Sequence, residues 1–135
     1  MVSSKDLKDI ANIMRRDVLE MTTKAGSGHP TSCMSCAEII SCLFFGHMKY
    51  DIKDSHANNN DEFILSKGHA APILYSALFR TGAVSGNIMN LRKFGSKFEG
   101  HPLPSVFPWA KVATGSLGQG LSVGVGIALA AKLDG

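Results

Sequence analysis

Three observations predict an α/β protein, helix-rich over these residues. Apolar side chains recur at three- and four-residue steps in several stretches, which is the helical period. One short apolar run, 63–66, has the length of a buried strand and is bounded by Lys67-Gly68. A glycine-rich turn at 115–120 opens into a final apolar stretch at 121–133. With 44% hydrophobic and 19% charged residues, the 135-residue chain is too apolar for a disordered tail and suits one domain or a piece of a larger one.

The first helix is predicted from Leu7, Ile10, Met14, Val18 and Met21, which share one face. Ser3 followed by Asp6 gives it a capping-box start. Gly26-Ser27-Gly28-His29-Pro30 should end it, because glycine frees the backbone and proline lacks the donor the ladder needs. A second helix is expected over 32–47, its face set by Glu38, Ile39, Leu43 and Phe44, with Ser35 and Glu38 as a weaker alternative start. Residues 51–61 are polar, carry three consecutive asparagines and read as a loop. Beyond the strand candidate a helix returns over 70–80 and stops at Thr81-Gly82, and Ser85 is placed to cap a short helix reaching Lys93. Residues 100–108 hold three prolines and must be irregular. Several helices around a single strand make an odd inventory for a finished domain, so the natural polypeptide is expected to continue past residue 135.

Fourteen Lys+Arg against eleven Asp+Glu leave a formal charge of +3, and only Arg15-Arg16 and Arg92-Lys93 are adjacent basic pairs. A nucleic-acid surface needs basic residues gathered on one face, so that role is set aside. No apolar run approaches the roughly eighteen residues of a membrane span. The first sixteen residues alternate charges with single apolar residues, unlike a secretory leader. Three clustered cysteines, Cys33, Cys36 and Cys42, make no disulfide framework and fit a reducing compartment. A soluble, intracellular protein is expected.

Three of the five histidines directly follow glycine: Gly28-His29, Gly68-His69 and Gly100-His101. Glycine lets the backbone turn tightly beside a ligand, and imidazole donates, accepts or shuttles a proton near neutral pH. Any one of these is most simply an idle loop histidine. Three together, each in a break between elements, could converge on one pocket. His47 and His56 lack that context and are expected at the surface. Ser66-Lys67-Gly68-His69 lies at the carboxyl end of the strand candidate, where α/β proteins bind ligands. Gly115-Ser116-Leu117-Gly118-Gln119-Gly120 would leave backbone N–H groups free for a ligand, although close helix packing, shared with Gly124 and Gly126, explains it equally well. It fails the dinucleotide fingerprint, since Val123 holds the third glycine position, and no Gly-Lys-Ser/Thr ending makes it a triphosphate loop. Cys33-x-x-Cys36 lacks a second paired unit, so its thiols read as small buried side chains rather than a metal or redox site.

Four segments in order, Ala25-Gly26-Ser27-Gly28-His29-Pro30-Thr31-Ser32, Phe63-Ile64-Leu65-Ser66-Lys67-Gly68-His69-Ala70-Ala71-Pro72, Glu99-Gly100-His101-Pro102 and Ala113-Thr114-Gly115-Ser116-Leu117-Gly118-Gln119-Gly120, resemble the N-terminal region of transketolases. The likeness runs from Leu7 to the end of the chain. It implies residues 1–135 as the first part of a parallel-sheet, thiamine-diphosphate-binding domain, with the rest of that domain and later domains absent. It also implies an enzyme that passes a two-carbon ketol unit from a ketose phosphate to an aldose phosphate, as in the pentose phosphate pathway. There the cofactor's ylide attacks the ketose carbonyl and the neighbouring carbon–carbon bond breaks, while the protein binds, orients and handles protons. By the same resemblance His29 and His101 hydrogen-bond the sugar's hydroxyl and carbonyl oxygens, and His69 lies near the diphosphate. Ser32 and Lys67 line the cofactor site, and Gly115, Ser116 and Leu117 meet the cofactor's rings. The family is expected to be cytoplasmic and homodimeric, with sugar phosphates as partners and neither nucleic acid nor membrane.

The departures are absences. The family's Gly-Asp-Gly motif and later Asn hold the Mg2+ that bridges the diphosphate, and nothing after Gly120 matches them. The metal ligands are therefore expected downstream and none in this chain. The glutamate that activates the aminopyrimidine belongs in the family to a second domain, supplied by the other protomer. Alone, this chain is expected to be inactive. The alternatives are another thiamine-dependent ketol transferase, such as a dihydroxyacetone or deoxyxylulose phosphate synthase, or a truncated non-catalytic interaction protein. A Gly-Asp-Gly within a few tens of further residues would favour the enzyme.

Overall fold

Ser3 and Asp6 close on each other at the head of the first helix. Asp6 N–H donates to Ser3 Oγ at 3.2 Å and Ser3 N–H donates to Asp6 Oδ2 at 3.1 Å, which satisfies donors the helix cannot. A computed structural model describes residues 3–134; Met1, Val2 and Gly135, at the ends of the expected domain span, lie outside the described residues. Helix α1, Ser4–Ala25, buries Met14, Val18 and Met21 along one face and ends in Gly26, whose φ of 61° is open to glycine at little cost. Its face also buries Asp17, which Ser76 Oγ (2.6 Å), Arg80 Nε (2.9 Å) and Arg80 Nη2 (2.6 Å) all reach as donors.

The helix expected over 32–47 is broken. It divides into α2, Pro30–Met34, α3, Ala37–Cys42, and a single π-helical turn, Leu43–His47, closed by Met48 N–H on the Leu43 carbonyl. The cause is competition for one acceptor. Lys67 Nζ and Ser35 Oγ both donate to the Ser32 carbonyl, at 2.6 and 2.9 Å, and the Cys36 N–H turns instead to the Cys33 carbonyl at 3.2 Å. Cys36 caps α3, so the start expected from Ser35 and Glu38 is not formed.

Helix α4, Ala71–Thr81, is the centre of the molecule: residues 71–78 are all buried, and α1, α2 and α3 pack around it. Tyr75 gathers Phe107 and Phe98 at ring distances of 4.8 and 5.3 Å, and its hydroxyl donates to the Glu99 carbonyl at 2.9 Å. That bond pins the irregular 98–108 segment onto the core just before His101. The capped helix expected from Ser85 to Lys93 shrinks to one 3-10 turn, Ile88–Asn90, capped by Asn87.

No strand forms among the described residues. Residues 63–65 run beside 110–114, with Leu65 buried, yet the Leu65 carbonyl is met by the Thr114 hydroxyl at 2.7 Å and not by a neighbouring backbone. A strand exists only as a pair, and these residues supply no ladder partner. Helix α5, Gln119–Asp134, forms as its apolar pattern predicts. It touches the rest at its start, and Leu121, Leu129 and Leu133 remain 72%, 57% and 88% exposed. No helix among the described residues is long and apolar enough to cross a membrane.

Candidate functional site

The three Gly-His breaks meet. His29 is the residue that enters α2, and His69 sits in a 3-10 turn, Gly68–Ala70, that runs straight into α4. Their rings pack edge to face with centroids 5.0 Å apart. The third, His101, is near enough for its charge to act on His69, and its ring edge lies against Gly115, where an added methyl would be 3.9 Å from His101 Cδ2. Imidazoles more than thirty residues apart in sequence thus face one another at the surface. His47 and His56 are exposed and stand apart from the cluster.

Glycine makes this assembly possible at two places. At Gly68 a Cβ would overlap the Thr114 carbonyl, and at Gly120 it would come within 2.7 Å of Ser66 Cα. Only hydrogen lets the 113–120 stretch lie against 66–69. By contrast Gly126 faces open space and Gly124 makes an ordinary contact with Ile64, so among the described residues neither serves helix–helix packing.

Ser32 is the hub. His69 Nε2 is 2.9 Å from its hydroxyl, while Lys67 Nζ donates to its carbonyl at 2.6 Å and to Ser35 Oγ at 2.8 Å. Lys67 therefore leans on α2 and keeps one of its three donors for another ligand. Partial burial first, and then the neighbouring His29, Lys67 and His101, hold His69 below the ordinary histidine range. A neutral His69 at pH 7 can accept at one nitrogen and donate at the other.

Gly115, Ser116 and Leu117 form an exposed lip beside His101. Two of their N–H groups are not free as the sequence suggested. Gln119 Oε1 accepts from Ser116 N–H at 2.9 Å and from Gly115 N–H at 3.3 Å, and its Nε2 donates to the Ala113 carbonyl at 3.0 Å. Gln119 thus shapes the lip that a flat ring could rest on. Thr114, buried between Leu65 and Gly68, fixes the lip from behind. Neither residue was singled out from sequence, because a polar residue inside a motif does not announce whether it faces the ligand or the backbone.

Burial pushes the Cys33 thiol up to about 11 and raises Cys36 as well, so neither offers a ready thiolate. Among the described residues no three His, Cys, Asp or Glu side chains are grouped as a metal ion requires. Chemically the arrangement offers a bare glycine-rich lip, a cationic and imidazole wall, and two further histidines on the open side. That suits an anionic ligand with a flat part, and a hydrogen-bonding one beside it.

Comparison with known proteins shows the family. A family described as "Transketolase, thiamine diphosphate binding domain" matches residues 7–134. The chain is 51% identical over 127 residues to the transketolase of Pongo abelii, covering 93% of this chain and 20% of that one. It is 40% identical over 121 residues to one of the subunits of the apulose-4-phosphate transketolase of Phocaeicola vulgatus, covering 89% of this chain and 43% of the other. The crystal structure of the Campylobacter jejuni transketolase superposes with a TM-score of 0.91 at 38% identity, over 97% of this chain and 21% of that one. The chain spans about a fifth of the length of the first of these relatives.

Proposed function

Because the chain belongs to the transketolase family, through its thiamine-diphosphate-binding domain, we propose that it forms the cofactor-holding wall of a ketol-transferring enzyme. The observation that carries this reading is the meeting of His29, His69 and His101 beside the glycine-rich lip. In it, Ser32, Lys67 and His69 address the diphosphate, and Gly115, Ser116 and Leu117 lie against the aromatic rings. His29 and His101 hold the hydroxyl and carbonyl oxygens of a sugar phosphate. When bound, thiamine diphosphate supplies an electron sink for cleaving the bond beside a ketose carbonyl.

The residues present fit that group. The lip lacks side chains at Gly115 and Gly118, so a ring can approach the main chain. The spare donor of Lys67 and the neutral His69 suit phosphate oxygens. What this chain's residues do is orient and exchange protons: His29 and His101 can each donate to an oxygen of the bound sugar and take the proton back, which is typically worth a factor of about 10²–10⁴ in rate. We place the ligands of Mg2+ and the carboxylate that activates the cofactor outside these 135 residues, in keeping with the small share of its relatives that the chain spans. The same reading extends to a parallel sheet completed by further strands beside 63–66, and to a cytoplasmic homodimer.

The test is ketol transfer between a ketose phosphate and an aldose phosphate by the enzyme carrying these residues. Transfer that requires both thiamine diphosphate and Mg2+ is expected, and no transfer with both supplied overturns the reading. A second assembly, in which another polypeptide completes the site, is favoured by the Phocaeicola relative, whose name makes it one of several polypeptides in its enzyme. Co-purification of a second chain with the activity would decide for it.

A further inference from the structure

Among the described residues Arg92 is the one non-glycine residue with positive φ, 60°. An L-residue is strained there and keeps that conformation only when its surroundings over-determine it, which happens most often at functional sites. Its backbone N–H donates to the Phe98 carbonyl at 2.8 Å, closing the turn that precedes His101. Its guanidinium reaches two places at once. Nη1 donates to Ser27 Oγ at 2.9 Å, two residues before His29. The plane fills the space over Gly100, where an added methyl would come within 2.9 Å of Cζ and of Nη2. Gly100 immediately precedes His101, and Arg92, Glu99, Gly100, His101 and Leu103 line an open hollow of about 330 Å3.

We propose that Arg92 is a positioning residue: its guanidinium, seated on Gly100 and bonded to Ser27, sets the spacing of the His29 and His101 loops so that both imidazoles address one sugar. The inference rests on the roles given to those two histidines under the proposed function. Arginine suits the task because its planar fork bonds in one direction while its face packs in another. On this account a side chain at 100 would displace the plane and loosen the coupling.

Arg92→Gly removes the side chain and leaves a residue that adopts φ 60° without strain, so the fold is retained. In the loaded enzyme kcat/KM for the ketose should fall about tenfold to hundredfold, the scale of a misplacement near 1 Å. The apparent affinity for thiamine diphosphate should stay unchanged. Arg92→Lys should recover only part of the loss, and Ser27→Ala should add little in the Arg92→Gly background, because the bond it removes is already gone. Without cofactor, the imidazole resonances of both His29 and His101 should shift in Arg92→Gly while those of His47 and His56 stay in place. An Arg92→Gly enzyme within about twofold of the parent in kcat/KM, or unmoved His29 and His101 signals, overturns the inference. Absence of ketol transfer by the parent enzyme would instead overturn the proposed function, and the resonance shifts would still decide whether Arg92 couples the loops.

Discussion

At the scale of single residues, the roles of the three imidazoles separate by what each touches. His101 lies against Gly115 and lines the open hollow, and the proposed function gives it the sugar as partner. His101→Ala in the complete enzyme is expected to impair ketose turnover more than cofactor affinity. Intact turnover with weakened cofactor binding would move His101 to the other side of the site. His69, bonded to Ser32, is held below its ordinary value of 6.5, first by burial and then by neighbouring charge. The unfolded chain then binds the proton more readily, so His69 contributes stability above about pH 6.5 that is lost as the pH falls below it. A proton resonance titration should give His69 a midpoint under 6.5, and His69→Gln should soften the acid-side loss of stability. A midpoint at or above 6.5 would contradict the geometry. The convergence itself was legible in sequence, because Gly-His in three breaks is an unusual pattern. Arg92 was not, since a left-handed arginine carries no local signal and Ser27, which its guanidinium bonds, lies sixty-five residues away.

At the scale of elements, the first and fourth helices were legible and the second was not, for one physical reason. Helix α1 is specified by its own capping box and apolar period, and α4 by a continuous apolar stretch ended by Gly82 at φ 82°. At the break between α2 and α3 the Ser32 carbonyl is taken by Ser35 Oγ, a local contact, and by the Lys67 ammonium from thirty-five residues away, which no local pattern encodes. The packing of α1 on α4 is locked by one ion pair whose two halves differ sharply in exposure: the Asp17 side chain is 2% exposed and Arg80 36%. Removing Arg80 strands a buried carboxylate with Ser76 alone, whereas removing Asp17 leaves a guanidinium that can turn to water. Arg80→Ala should therefore cost about 3–5 kcal/mol, the range for an orphaned buried charge. Asp17→Ala should cost less, about 1–3 kcal/mol, the desolvation of a partly satisfied donor. Denaturant midpoints of the two variants would check the order, and equal or inverted losses would place the main contribution in packing rather than charge.

At the scale of the whole molecule, the sequence showed an apolar final helix but could not show that these residues leave it bare. A helix apolar on all sides belongs inside a larger body. Leu121, Val125, Leu129 and Leu133 are all exposed, and the 63–66 segment beside the start of α5 has no backbone partner among the described residues. The Gly-His breaks thus gather at one side of the buried helix α4, while α5 and the 63–66 segment are left uncovered by the described residues. This asymmetry sets what the 135 residues can do by themselves. A diphosphate carries charge that one spare lysine donor and a neutral histidine cannot offset, and the described residues group no carboxylates to bring a divalent ion to it. Calorimetry of the 135-residue chain with thiamine diphosphate and magnesium is therefore expected to show no measurable heat, while the complete enzyme binds. A tight, magnesium-dependent signal from the short chain would mean that metal ligands lie within these residues. It would also mean that the lip, Lys67 and His69 hold the cofactor without help from beyond α5.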